Sequence, residues 1–296
     1  MIKSVKVRYI FSKIEINLII NFILLFMFTQ CSKNDLSTDN FQEVERVQEE
    51  NQNNSEKKVF NFEKIACDRG FANEFPCKEY DLLNWIPLSF FDSESANDNW
   101  GWTDSKSKRE FVLQGLNDGL AFLDITDPQK VIYLGKLLSA TDPSDWRDVK
   151  IYNDHAFIVS EASNHGLQVF DLNNLLESDE FKTFSEDYIA NDFGNAHNIA
   201  INTSSGFAYV LGSALYKGGP VFYDISIPKQ PIFSGGFSDT SYIHDAQIIT
   251  YKGEDQNYFE KEILFGSNSD GGETNQLIIL DVTEKTECDY DKAEHL

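Results

Sequence analysis

The sequence is short of basic charge, of long apolar runs and of helical rhythm, and each shortage removes a class of protein. Lysine and arginine number 25 against 48 aspartates and glutamates, a formal charge of −23. The first 30 residues run the other way, with Lys3, Lys6, Arg8 and Lys13 against Glu15, which leaves −26 on everything after them. A body that acidic repels phosphate backbones, so nucleic acid is excluded as a partner. The most apolar stretch, residues 18–29, falls short of the roughly 20 residues that a membrane-spanning helix needs. Apolar residues do not recur at helical spacing except for a short turn expected at 173–177.

What is present begins with an export signal. Residues 1–17 are basic and mixed, residues 18–29 are apolar, and Gln30-Cys31-Ser32 follow. This order predicts a signal peptide over 1–30. Cys31 resembles the lipidated cysteine of bacterial lipoproteins, with the membrane as partner through a lipid anchor. Phe28 and Gln30 stand where such motifs favour leucine and a small residue, so an uncleaved anchor or ordinary secretion are the alternatives. Residues 31–58 are dominated by Asn, Gln, Glu and Ser and have too little apolar content to fold alone, which predicts a flexible tether. The expected location is the outer membrane or cell surface.

Residues 59–97 form a segment in which Cys67 and Cys77 bracket a short loop containing Gly70 and Pro76. In an exported chain the pair reads as a disulfide rather than a metal site, since no histidine lies nearby. Cys288 has no evident partner.

From residue 98 a pattern recurs. Four apolar strands end in an aspartate, Asp124, Asp171, Asp224 and Asp281, at intervals of 47, 53 and 57 residues. Each aspartate precedes a turn and is expected to accept a backbone hydrogen bond there. Each unit reads as four strands, the first opening at a polar triplet: Trp146-Arg147-Asp148, Ala196-His197-Asn198 and Ile243-His244-Asp245. A turn such as Asn153-Asp154 follows, then a second strand, 155–160 or 207–212. A fourth strand is expected at 131–135 and 231–235. The period and the strand character point to an all-β protein of propeller blades.

These units resemble the LVIVD repeat, and from about Ile65 onward the chain is similar to the choice-of-anchor B family of bacterial surface proteins. The resemblance rests on Cys67 with Phe75-Pro-Cys77, Asn99-Trp-Gly-Trp-Thr-Asp104, Trp146-Arg-Asp-Val-Lys150, 155–162, Phe193-Gly-Asn-Ala-His-Asn198 and Tyr242-Ile-His-Asp-Ala-Gln247. It implies a β-propeller of four-stranded antiparallel blades over 98–296 and a surface location, and it supplies no reaction. Members of the family continue beyond a fourth repeat, so about four blades, an incomplete ring and a fragment of a longer chain are expected.

In a propeller the first strand of every blade lines the central channel. Arg147, Asp148, His197, Asn198, His244 and Asp245 are therefore expected at one axial mouth, beside the loops 160–165, 213–217 and 267–273. Val149, Ile199 and Ala246 should turn away into packing, because neighbouring strand residues face opposite ways. Such a mouth can bind an anionic ligand, or a divalent metal through His197, His244 and Asp245. Alternatively these groups bond one another and plug the channel. Ser160, Glu161 and His165 suggest a hydrolase only weakly, without a nucleophile elbow around the serine. Residues 268–273 resemble a calcium loop loosely and read as a turn, and Trp100 and Trp102 read as core or channel packing. The expected function is a non-enzymatic binding or scaffold module for a surface protein or glycan. The alternative is a metal-dependent hydrolase or oxidoreductase using His197 and His244.

Overall fold

The computed structural model describes residues 57–177, 180–238, 240–268 and 275–285. Cys31, the signal peptide, all but the last two residues of the tether, 269–274 and Cys288 lie outside them. The described chain is all-β, built of antiparallel sheets in sequence order, and no sheet closes into a barrel among these residues.

The segment before the repeats holds β1 (Lys58–Asn61) and a two-residue hairpin, β2 (Phe71–Ala72) and β3 (Phe75–Pro76). Cys67 and Cys77 are bridged across that hairpin, their Cα atoms 5.9 Å apart. The first sheet is β4 (Ala96–Thr103), β5 (Glu110–Leu116), β6 (Gly119–Asp124) and β7 (Lys130–Leu138). The second comprises β8 (Arg147–Tyr152), β9 (His155–Ser160) and β10 (Leu167–Asp171), completed after β11 (Lys182–Phe184) by β12 (Tyr188–Ala190). The third is β13 (Asn198–Asn202), β14 (Phe207–Leu211), β15 (Val221–Asp224) and β16 (Ile232–Gly236). The fourth shows three strands among the described residues, β17 (Ile243–Thr250), β18 (Glu262–Asn268) and β19 (Gln276–Asp281).

Three details depart from the expected units. β1 takes Lys58 out of the tether and pairs antiparallel with β7, so the leading segment is stitched to the first sheet. β4 begins at Ala96, two residues ahead of the boundary expected at 98. β11 leaves its own sheet and pairs parallel with the far side of β7, Lys182 opposite Gly135. Only glycine allows this approach: at φ +143° a Cβ on Gly135 would collide with the Lys182 carbonyl.

Strand alternation explains how the sheets stack. In β9, Ala156 and Ile158 enter a core shared with Phe111, Leu120 and Phe122 of the first sheet, while Phe157 and Val159 enter one shared with Ile199, Ala208 and Val210 of the third. The third sheet repeats the device, with Tyr209, Leu211 and Phe222 packing on Ile248, Leu264 and Leu280 of the fourth. Strands buried on both faces need apolar residues at odd and even positions alike, and β6 is buried along all six of its residues. Each successive sheet thus covers the exposed face of the last, and β4, β8, β13 and β17 come to lie side by side.

Turn chemistry fixes the register. Asn153 and Asp154 both take positive φ (44° and 58°), the two-residue hairpin geometry that matches strand twist. The four repeated aspartates all accept from the backbone two residues on: Thr126 N–H at 2.9 Å, Asn173 N–H at 3.0 Å, Ser226 N–H at 2.9 Å and Thr283 N–H at 3.1 Å. Arg109, Lys229 and Lys261 also pair with Asp124, Asp171 and Asp281. The repeated residue is therefore a turn anchor. The short helical turn falls at Leu172–Leu175, capped by Asp171.

Candidate functional site

Because the first strands of the four sheets are neighbours, their inner faces enclose a common space. A cavity of about 1030 Å³ is lined by β4 (Asn97, Asp98, Trp100), the start of β8 (Trp146, Arg147, Asp148, Lys150), the start of β13 (His197, Asn198) and β17 (His244, Asp245, Gln247), with Phe265, Ser267 and Leu277 behind β17. All six residues expected at the axial mouth touch it. Val149 and Ile199 turn into the inter-sheet cores, as alternation requires, and Ala246 packs against the third core while also edging the cavity.

The six residues do not play equal parts. The Arg147 guanidinium is buried and points back into the first sheet. It donates to the Leu116 carbonyl at 3.0 Å, to Ser139 Oγ at 2.8 Å and to His165 Nε2 at 2.8 Å. His165 Nδ1 faces the Gly166 carbonyl at 2.9 Å, which sets a neutral tautomer with its lone pair toward Arg147. Burial and the Arg147 charge push the His165 imidazole down to about 4, and burial lowers Arg147 to about 10. Arg147 borders the cavity, but its donors are engaged within the protein.

Asp148 is also buried, and it rivets the second sheet to the third. Its Oδ2 accepts Ile199 N–H at 2.9 Å, and its Oδ1 accepts Val149 N–H at 2.7 Å and Lys150 Nζ at 2.5 Å. Burial, and then the neighbouring Asp98 carboxyl, push Asp148 up to about 7. Burial raises Asp98 too, but its hydrogen bond with Asp148 and the charge of Lys150 hold it below the usual carboxylate range. Lys150 bridges to Asp98 Oδ2 at 3.2 Å and lies 4.8 Å over the Trp100 ring.

His197 and His244 are brought face to face, Nε2 to Nε2 at 3.0 Å. His197 Nδ1 lies 2.7 Å from Glu161 Oε1, which fixes its proton on Nδ1 and leaves the Nε2 lone pair toward His244. Trp146 and Tyr242 flank the His197 ring at 5.8 and 6.1 Å. Burial and the Glu161 charge push the Tyr242 phenol up to about 12. Gly212 makes room for this cluster, since a Cβ there would stand 2.8 Å from both His197 Cβ and the Tyr242 hydroxyl. Asp245 stays apart: its Oδ1 takes Ala246 N–H at 2.7 Å. Among the described residues no three His, Cys, Asp or Glu side chains stand close enough together to hold a metal ion, so Asp245 does not complete a triad with the histidines. Asn198 Oδ1 is buried without a hydrogen-bond partner among the described residues.

The serine-hydrolase arrangement does not form. Ser160 Oγ donates to the Trp146 carbonyl at 2.9 Å, His165 belongs to Arg147, and Glu161 belongs to His197. Trp102 is core, its Nε1 donating to Asp154 at 3.0 Å, whereas Trp100 is 41% exposed on the cavity wall. Two contributors were not anticipated as site residues, Asp98 and Lys150, and Glu161 was expected beside the mouth but not as a partner of His197. Asp98 occupies the first-strand place of the first sheet, but an irregularity between Ala96 and Asn99 hides the correspondence.

Comparison of the chain with protein-family models and with curated proteins gave no match.

Proposed function

We propose that this chain is a non-enzymatic cell-surface lipoprotein, held through Cys31 at the outer membrane or cell surface and carrying an LVIVD-type β-propeller that binds a glycan in its axial cavity. The propeller reading is supported by successive antiparallel sheets stacked face on face with their first strands adjacent. An exported location accords with the Cys67–Cys77 disulfide, and among the described residues no helix is long and apolar enough to cross a membrane.

The observation that carries the binding reading is the wall chemistry of the cavity. Trp100 and Trp146 are 41% and 52% exposed there, beside the carboxylates Asp98 and Asp245 and the amides Asn97 and Gln247. Flat apolar rings with acceptors at their edges suit the faces and hydroxyls of a sugar, while the acidic body disfavours an anion. The metal-enzyme reading has the facing imidazoles in its favour but lacks a third protein donor among the described residues.

The test is a glycan array probed with the detergent-purified full chain. Binding of a polysaccharide that falls at least about tenfold in Trp100→Ala supports the reading, one removed stacking contact being worth that much. Glycan binding indifferent to Trp100, or binding of surface proteins alone, overturns it.

A further inference from the structure

We propose that His197 and His244 form an open two-histidine site for a first-row divalent cation of the zinc or copper type, with Glu161 as the residue that positions it. The inference rests on the axial cavity being a binding surface and names a second class of ligand for it.

Three observations converge. The two Nε2 atoms face each other at 3.0 Å from adjacent first strands. Tetrahedral zinc with Zn–N bonds of about 2.0–2.1 Å holds two imidazole nitrogens about 3.3 Å apart, so the rings need open by only a few tenths of an ångström. Second, Glu161 accepts from His197 Nδ1 at 2.7 Å, the carboxylate–histidine relay that leaves Nε2 free to ligate. Third, the pair lies on the cavity wall, His244 is exposed, and the body of the chain is strongly acidic, which concentrates cations at the surface.

Without metal, one of the two facing nitrogens must carry the proton of their hydrogen bond, and the Glu161 contact assigns it to His244. On metal binding that proton moves to His244 Nδ1, both Nε2 lone pairs turn to the cation, and no net proton is released. Two protein donors leave at least two positions for water or for an oxygen donor of a bound molecule. Imidazole nitrogen selects zinc, copper and nickel over calcium and magnesium, which prefer oxygen.

Zinc chloride is titrated calorimetrically into the detergent-purified full chain. The expected result is one equivalent bound by the wild type and lost in His197→Ala and in His244→Ala. Glu161→Gln should bind about 10–100-fold more weakly, as removal of such a relay does. His155→Ala, on the same body but off the cavity, should bind like wild type. Calcium chloride should not compete at equal concentration. Uptake by the His197→Ala/His244→Ala double variant equal to wild type overturns the proposal, as does no uptake by a wild type whose circular dichroism shows it folded. Glycan binding by the metal-free chain, with its Trp100 dependence, is scored separately, so loss of the metal site and loss of the cavity reading are distinct outcomes.

Discussion

The start of β8 and the starts of β13 and β17 hold matching places in successive sheets, yet their polar side chains are engaged differently. At β8, Arg147 and Asp148 are buried, and nearly every donor and acceptor they own is matched within the protein, to the first sheet on one side and the third on the other. At β13 and β17, His197 and His244 meet each other and Glu161 and remain beside open space. Equivalent position in a repeat therefore fixes where a side chain begins and not what it does. What separates the two cases is reach. The long Arg147 side chain reaches the Leu116 carbonyl at the rim of the preceding sheet, whereas an imidazole is too short to leave the wall.

The largest expected effect in breaking this contrast is at Arg147. Arg147→Ala empties a fully buried volume and strands the Leu116 carbonyl, Ser139 Oγ and His165 Nε2 without their donor. A loss of about 3–5 kcal/mol is expected, read as a shift in urea midpoint at unchanged slope. A loss under about 1 kcal/mol would mean that β8 is not riveted through this side chain.

A smaller effect, in pH dependence, sharpens the role of Asp148. Its native pKa is raised to about 7, so between roughly pH 4 and pH 7 the native state holds a proton that the unfolded state has lost. Stability from this residue is therefore greatest below pH 4 and falls as pH rises through 7. Asp148→Asn, which keeps one acceptor oxygen, should remove that decline from unfolding curves taken between pH 4 and pH 8. Asp124, Asp171 and Asp281 are held below their usual range despite partial burial, by hydrogen bonds to the following turn and by basic partners. Their contribution has the opposite sign, present above about pH 4 and lost on acidification, and it is common to both proteins. An unchanged slope in the variant would remove Asp148 as the titrating group.

Much of this arrangement was legible before any coordinates, for reasons visible in particular residues. The first-strand triplets could be aligned because strand side chains alternate with period two, which also sent Val149 and Ile199 into the cores. The Cys67–Cys77 bridge followed from a short loop between two cysteines in a chain read as exported. Other features depend on partners that no local pattern encodes. Lys182-Thr-Phe184 is too short to announce a strand, and its parallel partner is a glycine 47 residues earlier. Arg147 was expected to face the channel because nothing in its neighbours reveals the Leu116 carbonyl. Glu161 was read with Ser160 and His165 because they adjoin in sequence, although the fold sends the three side chains to three different partners.

The contrast between engaged and available side chains is tested most directly by the stability of the His197→Ala/His244→Ala double variant of the full chain, measured by urea unfolding without added metal. The imidazoles sit on a cavity wall, and their links to neighbouring sheets are single hydrogen bonds open to solvent, so the variant should unfold within about 1 kcal/mol of wild type. A loss of several kcal/mol, comparable to that of Arg147→Ala, would make the histidine pair a structural plug of the channel and contradict its assignment as a binding site.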